Sequence, residues 1–254
     1  MDWFNEAYHF DQTRLRLAHI TDTHLFDHVD GEYFSVKTAE HFKHVLIDLA
    51  QQNLDAVIFG GDLTQDHTFG SYQLFASLVS ESDLQCPVFW LPGNHDDIAY
   101  LNEISQGQIV SAKKMSFKLG QILLVNSKGA TPAGWVTERH LSEIQQQCAV
   151  PSLVFCHHNP LSIQGYLDKH MLENGPQLLN TLVDSEHVLA LFHGHVHNEY
   201  VFSFRELPVY ATPATSIQFT KHTSDWQQQD LGAGYRLINW SPAGVQTEVR
   251  WLVK

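Results

Sequence analysis

Short apolar runs alternate along this chain with segments whose apolar residues recur every third or fourth position. That alternation predicts an α/β sandwich. Leu15–Ile20 reads as a strand. Ala39, Phe42, Leu46, Leu49 and Ala50 keep helical spacing and predict an amphipathic helix over Thr38–Gln52. Ala56–Phe59 and Val88–Leu91 read as buried strands, with a helix between them marked by Tyr72, Phe75, Leu78 and Val79. Met115–Leu119 and Ile122–Val125 flank Gly120 as a hairpin. Thr137 is placed to cap a helix whose apolar face is Leu141, Ile144 and Cys148. Leu153–Cys156 is a further strand. Pro176 suits the first turn of a helix carrying Leu178, Leu179, Leu182 and Val183. After the strand Val188–Phe192 the pattern turns mostly β: Tyr200–Phe204, Pro208–Ala211, Ser216–Phe219, Tyr235–Trp240 and Val245–Leu252.

Five of these strands end in residues that carry chemistry. Asp22 and His24 follow the first, Asp62 the second, and Asn94, His95 and Asp96 the third. His157 and His158 follow Leu153–Cys156, and His193, His195 and His197 follow Val188–Phe192. Loops beyond the carboxyl ends of strands share one edge of an α/β sheet, so the five can converge. Asp, Asn and His without thiolate suit Mn, Fe or Zn. A pair of ions needs a shared ligand, and Asp62 is the natural bridge. Two divalent ions bring four positive charges, of which Asp22 and Asp62 cancel two; neutral Asn94 preserves the surplus. That surplus attracts phosphate and lowers the pKa of bridging water. Strand alternation would put His195 and His197 on one side.

Each piece alone has a plainer reading. Asp-x-His and Gly-Gly-Asp are ordinary turn residues, and His157-His158 could be a buried pair. The set of five, in order and each after a strand, is much stronger than any member. His9, His19, His28, His41, His44, His140, His187 and His222 read as surface or packing residues. Cys156 points away from His157 as a core thiol. Asp66 and Asp96 are placed to brace the loops or cap them.

The chain has 254 residues, 43% of them apolar, with no repeat or flexible linker, which fits one domain. The first dozen residues read as an N-terminal extension, in which Trp3, Phe4, Tyr8 and Phe10 could make an apolar contact. A net charge of −13 disfavours non-specific nucleic-acid binding. No apolar run is long enough to span a membrane, and no signal peptide is visible. Three scattered cysteines point to reduced thiols and a cytoplasmic protein.

Asp22-x-His24, Gly61-Asp62, Gly93-Asn94-His95-Asp96, His157 and Gly194-His195-x-His197 together resemble the full signature of calcineurin-like metallophosphoesterases. The runs ITDTHLF (20–26), WLPGNHD (90–96), LDKHMLENG (167–175) and ATPATSIQF (211–219) resemble bacterial class III 3′,5′-cyclic-AMP phosphodiesterases more closely. The resemblance implies a four-layer α/β/β/α sandwich of two mixed sheets. It implies two metal ions, Fe or Mn foremost and Zn as an alternative. Asp22, His24, Asp62 and His197 would hold the first, and Asp62, Asn94, His157 and His195 the second. His95 would face the phosphate or the leaving oxygen rather than a metal. The family often has His-His-Pro where this chain has His157-His158-Asn159-Pro160, so His158 stands as the alternative ligand to His157.

The expected activity is hydrolysis of 3′,5′-cyclic AMP to 5′-AMP by a metal-bridging hydroxide, with Asn94 and His95 as catalytic residues. His170 and Asn174 are candidate substrate-pocket residues. The alternatives are a broader phosphodiesterase or phosphatase, or a metal-free binding scaffold.

Overall fold

A computed structural model describes residues 2–252. Two mixed sheets face each other. The six-stranded sheet runs Gly244–Trp251, Gly234–Ser241, Leu15–Ile20, Ala56–Phe59, Val88–Trp90 and Ile109–Val110. Its last four strands are parallel, and the first two add an antiparallel edge. The seven-stranded sheet runs Ala7–His9, Lys114–Phe117, Gly120–Leu124, Ser152–Cys156, Val188–His193, Leu207–Ala211 and Tyr200–Phe204. At its centre, Gly120–Leu124, Ser152–Cys156, Val188–His193 and Leu207–Ala211 are parallel.

Side-chain alternation along the strands divides the core into three layers. Leu15, Leu17, Ala56, Ile58 and Phe89 point inward and meet Met115, Ile122, Leu153, Phe155 and Phe192 of the other sheet. Ala18, Ile20, Val57, Phe59 and Trp90 point outward, against helices α1 (Thr38–Ala50), α2 (Phe69–Glu81) and α3 (Ile98–Glu103). Leu123, Val154, Cys156 and Leu191 point out of the other sheet, against α4 (Glu138–Gln147) and α5 (Gly175–Asp184). The result is the four-layer α/β/β/α sandwich. Phe42 of α1 stacks on Phe75 of α2 with ring centroids 4.9 Å apart, a pairing that adds to the area both rings bury.

Local chemistry explains the boundaries. Thr68, Asp97 and Thr137 cap α2, α3 and α4 with their side chains. Helix α1 stops at Ala50, two residues before the expected end, because Gln51 and Gln52 close a turn and Asn53 takes φ 49°. The expected strand Ser216–Phe219 shortens to Gln218–Phe219. Its first residue and the one before it bond the first of the five loops instead: Thr215 N donates to Thr21 O (3.0 Å) and Ser216 Oγ to Asp22 O (2.7 Å). The N-terminal residues pack onto this fold. Ala7–His9 adds the edge strand to the seven-stranded sheet, Trp3 Nε1 donates to Leu124 O, and Phe4 stacks on His140.

Candidate metal centre

Parallel neighbours deliver their following loops to one place. Leu15–Ile20, Ala56–Phe59 and Val88–Trp90 lie side by side in one sheet, and Ser152–Cys156 and Val188–His193 in the other. The loops are stitched by main-chain bonds: Asp22 N to Gly61 O (2.9 Å), His24 N to Asp62 O (3.1 Å) and Gly194 N to His157 O (3.1 Å). Five of the seven candidate ligands take left-handed backbone: Asp22 (φ 56°), His24 (45°), Asp62 (55°), His195 (67°) and His197 (54°). Each such residue costs about 1–3 kcal/mol, and strain of this kind gathers at functional sites. His195 and His197 therefore share a side through tight turns and not through strand alternation, since their strand ends at His193. Two glycines permit the close approach. A Cβ on Gly93 would lie 2.1 Å from Asp62 Oδ1, and one on Gly194 would lie 2.2 Å from Thr21 Oγ1.

The ring nitrogens are set by their outer partners. His24 Nδ1 meets Gln65 Oε1 (2.8 Å), His197 Nδ1 meets Ile217 O (2.8 Å), and His157 Nδ1 meets Gly60 O (2.8 Å). An oxygen there accepts only, so each Nδ1 carries a hydrogen and each Nε2 is the nitrogen left facing inward. The inward atoms crowd together. His24 Nε2 lies 3.0 Å from His197 Nε2, and His157 Nε2 lies 3.2 Å from His195 Nδ1. Asp22 Oδ1 is 3.3 Å from His197 Nε2 and 4.0 Å from His157 Nε2. Asp62 Oδ2 is 3.2 Å from His157 Nε2 and 3.8 Å from His24 Nε2, while Asp62 Oδ1 accepts from His95 N (2.9 Å). Both carboxylates thus face both histidine groups, and one oxygen of Asp62 stands between them. Asp22 Oδ1, Asn94 Oδ1 and His195 Nε2 are buried with no hydrogen-bonding partner. Carboxylate oxygens and imidazole nitrogens gathered this closely, with several left unmatched, favour cations among them, so these residues fit two metal ions.

His157 and His158 differ in what they have free. His158 Nδ1 is held by Ser127 Oγ (2.9 Å) and Nε2 by Pro132 O (3.2 Å), so both its nitrogens are committed. His158 lies near enough to His157 and His195 to join a metal group by distance, but only His157 keeps a nitrogen for it. Asp96 braces three loop amides at once, accepting from Asp62 N, Leu63 N and Gly93 N, each at 2.8 Å. Lys128 Nζ donates to Asn94 O (2.7 Å) and pins the third loop. The His95 ring stacks on His67 and stands edge-on to His24.

The electrostatics ask for positive charge. Burial raises the Asp22 and Asp62 carboxyls, yet neighbouring histidines, His197 for Asp22 and His157 for Asp62, draw both below the usual carboxylate range. Burial drives His24 down to about 3 and His195 well below its ordinary value. For His157, burial is outweighed by the charges of Asp62 and Asp22, which lift it to about 9. A proton on His157 answers part of the carboxylate charge, and a bound cation would displace it. Burial and the Asp62 charge push Asp96 up to about 6, against the pull of its three amides.

Neither candidate pocket residue bonds to the ligand side chains among the described residues, although the segment between them bonds Gly134, which packs on the His158 ring. Asn174 precedes α5, but its buried side chain does not cap the helix; it accepts from Val136 N (3.0 Å) and donates to Val136 O (2.6 Å). His170 ends a short 3₁₀ turn, and among the described residues no bond or ring contact joins it to the ligands. The sequence pattern does not mark Gln65, Ser127 or the carbonyl of Ile217 as partners. They bond ring nitrogens or loop amides from distant segments, and no motif spacing marks such partners.

The chain matches the calcineurin-like phosphoesterase family over residues 15–199 and belongs to it. It is 60% identical over 260 residues to a probable cyclic nucleotide phosphodiesterase of Pseudoalteromonas sp. (strain SM9913), with 99% of each chain covered. It is 32% identical over 246 residues to a 3′,5′-cyclic adenosine monophosphate phosphodiesterase of Escherichia coli (strain K12), covering 93% of this chain and 89% of that one. A dimetal phosphatase from Danio rerio shares the fold at TM-score 0.64 and 12% identity, over 92% of this chain and 98% of that one.

Proposed function

We propose that the chain hydrolyses 3′,5′-cyclic AMP to 5′-AMP at a two-metal centre. The carrying observation is the Asp62 carboxylate, whose Oδ2 lies between His24 Nε2 and His157 Nε2. Asp22, His24, Asp62 and His197 would hold one ion, and Asp62, Asn94, His157 and His195 the other. When bound, the ions would acidify a shared water and draw charge from the phosphate oxygens. Water adds to phosphorus, the bond from phosphorus to the ribose 3′-oxygen breaks, and that oxygen takes up a proton. Burial holds His95 below its ordinary pKa. A neutral imidazole still has one N–H, which His95 would give to a phosphate oxygen or the leaving group. The cyclic-nucleotide part of the reading is supported by what the two relatives are described as acting on.

Fe or Mn suits this Asp, Asn and His set, and Zn is a further fit. A metal-free scaffold is disfavoured, because burying this many unmatched carboxylates and lone pairs is costly. Three free, buried cysteines support a reducing, cytoplasmic setting. The test is a panel of cyclic AMP, cyclic GMP, a chromogenic diester and a chromogenic monoester, titrated with Mn and Fe. Cyclic AMP should have the highest kcat/KM. If a model ester is turned over as well, the broader esterase reading replaces this one. His95→Ala should lower kcat about a hundredfold or more with metal retained.

A further inference from the structure

Two short hairpins stand outside the main sheets, and their aromatic residues meet beside the ligand histidines. In the first, Glu32–Tyr33 pairs with Val36–Lys37, and Phe34 and Ser35 form the two-residue turn. Both turn residues have positive φ, 48° and 65°. That geometry is ordinarily met by Asn-Gly, so a bulky ring there is held against backbone preference. In the second, Gln218–Phe219 pairs with Gln228–Gln229, and Trp226 lies in the loop they close.

The rings form a closed circuit. His24 stacks on Tyr33 (4.9 Å between centroids), Tyr33 touches Phe34 (4.7 Å), and Phe34 touches Trp226 (5.7 Å). Trp226 touches Phe219 (4.6 Å), Phe219 stacks on His197 (4.2 Å), and His197 returns to His24 (4.9 Å). Tyr33 and Phe219 are backing rings against the two ligand histidines. Phe34 and Trp226 form the outer rim and keep 47% and 37% of their surface exposed. They therefore bury too little to be explained as core, and they lie only two ring contacts from the candidate metal ligands. A planar, uncharged, aromatic group is the chemistry such a rim recognises, and every nucleobase has a π-face for it.

We infer that Phe34 and Trp226 form the stacking platform for the base of a nucleotide substrate whose phosphate lies at the ligand histidines. This rests on the proposed phosphodiesterase activity and adds to it the group that favours a nucleotide over a simple ester. The base lies on the exposed faces of the two rings, so the hairpins need not part to admit it. Stacking is tolerant of base identity, so the platform selects for a base and not strongly for adenine.

The test compares cyclic AMP with ribose 3′,5′-cyclic phosphate, the same ester without a base. Phe34→Ala and Trp226→Ala should each lower the kcat/KM preference for cyclic AMP over the base-less ester about tenfold, chiefly through KM for cyclic AMP. Trp226→Phe should restore most of the preference, and metal content should match the unaltered protein. An unchanged preference in both alanine variants overturns the platform while leaving the phosphodiesterase reading intact. So does an equal loss on both esters, which would mean the rings only shape the cleft. If the unaltered protein hydrolyses neither ester, the phosphodiesterase reading fails, and the platform with it.

Discussion

Asp96 shows how a residue outside the candidate ligand set can hold that set in place. Its carboxylate collects three main-chain amides from two ligand loops, including that of Asp62 itself. Asp96→Asn would turn an N–H toward another N–H and leave a buried donor unmatched, at about 1–3 kcal/mol. Metal affinity measured by titration should fall about tenfold or more, the usual cost of losing an outer-partner hydrogen bond. A second residue, far from the chemistry, gives a stability test. Lys113 is buried over the Trp90 ring, and its Nζ has no hydrogen-bonding partner. Burial drives its pKa well below 10.5, with the Glu6 charge opposing weakly. Below pH 10.5 the unfolded chain therefore holds a proton that the folded chain resists, and folding bears that penalty. Lys113→Met should raise unfolding free energy by about 1–3 kcal/mol at pH 7. The gain should shrink as pH rises toward 10.5, which chemical denaturation at a series of pH values would show.

At the scale of elements, what can be read from sequence depends on the range of the contacts. The strands before Asp22, Asp62, Asn94, His157 and His195 are legible because a run of buried apolar residues ends abruptly in Thr, Gly, Pro or His. Parallel pairing then brings those ends together. The Thr137 cap and the first-turn Pro176 are legible because each acts within one turn. The helix Ile98–Glu103 is not, being too short to show a period. Nor are the two small hairpins, whose strands are two residues long and whose rings find each other across almost two hundred positions. Which nitrogen of each histidine faces inward is equally invisible, since Gln65 and Ile217 decide it from remote loops. Within the N-terminal extension, Ala7–His9 adds an edge strand, Phe4 packs into the layer of α4 and α5, and Trp3 touches the apolar clusters on both outer sides of the sandwich. Deleting residues 1–10 would remove the burial of Phe4 and the Trp3 bond to Leu124. Unfolding free energy should drop by about 2 kcal/mol or more, visible as a lower Tm in a thermal melt.

Across the whole molecule, an acidic chain with net charge −13 must handle a negatively charged ester. It gathers its buried carboxylates and histidine lone pairs where the carboxyl edges of two sheets meet, a place that cations can make positive. The backbone strain at five ligand positions and the orphaned oxygens of Asp22 and Asn94 belong to the same arrangement. No helix among the described residues is long and apolar enough to cross a membrane. The central claim is that Asp62 is held in common by a pair of ions, and elemental analysis of protein saturated with Mn or Fe addresses it most directly. About two metal ions per chain are expected for the unaltered protein, and fewer than about one for Asp62→Ala, since that change removes a ligand from both. Equal metal content in the two proteins, or less than about one ion per unaltered chain, would contradict the account.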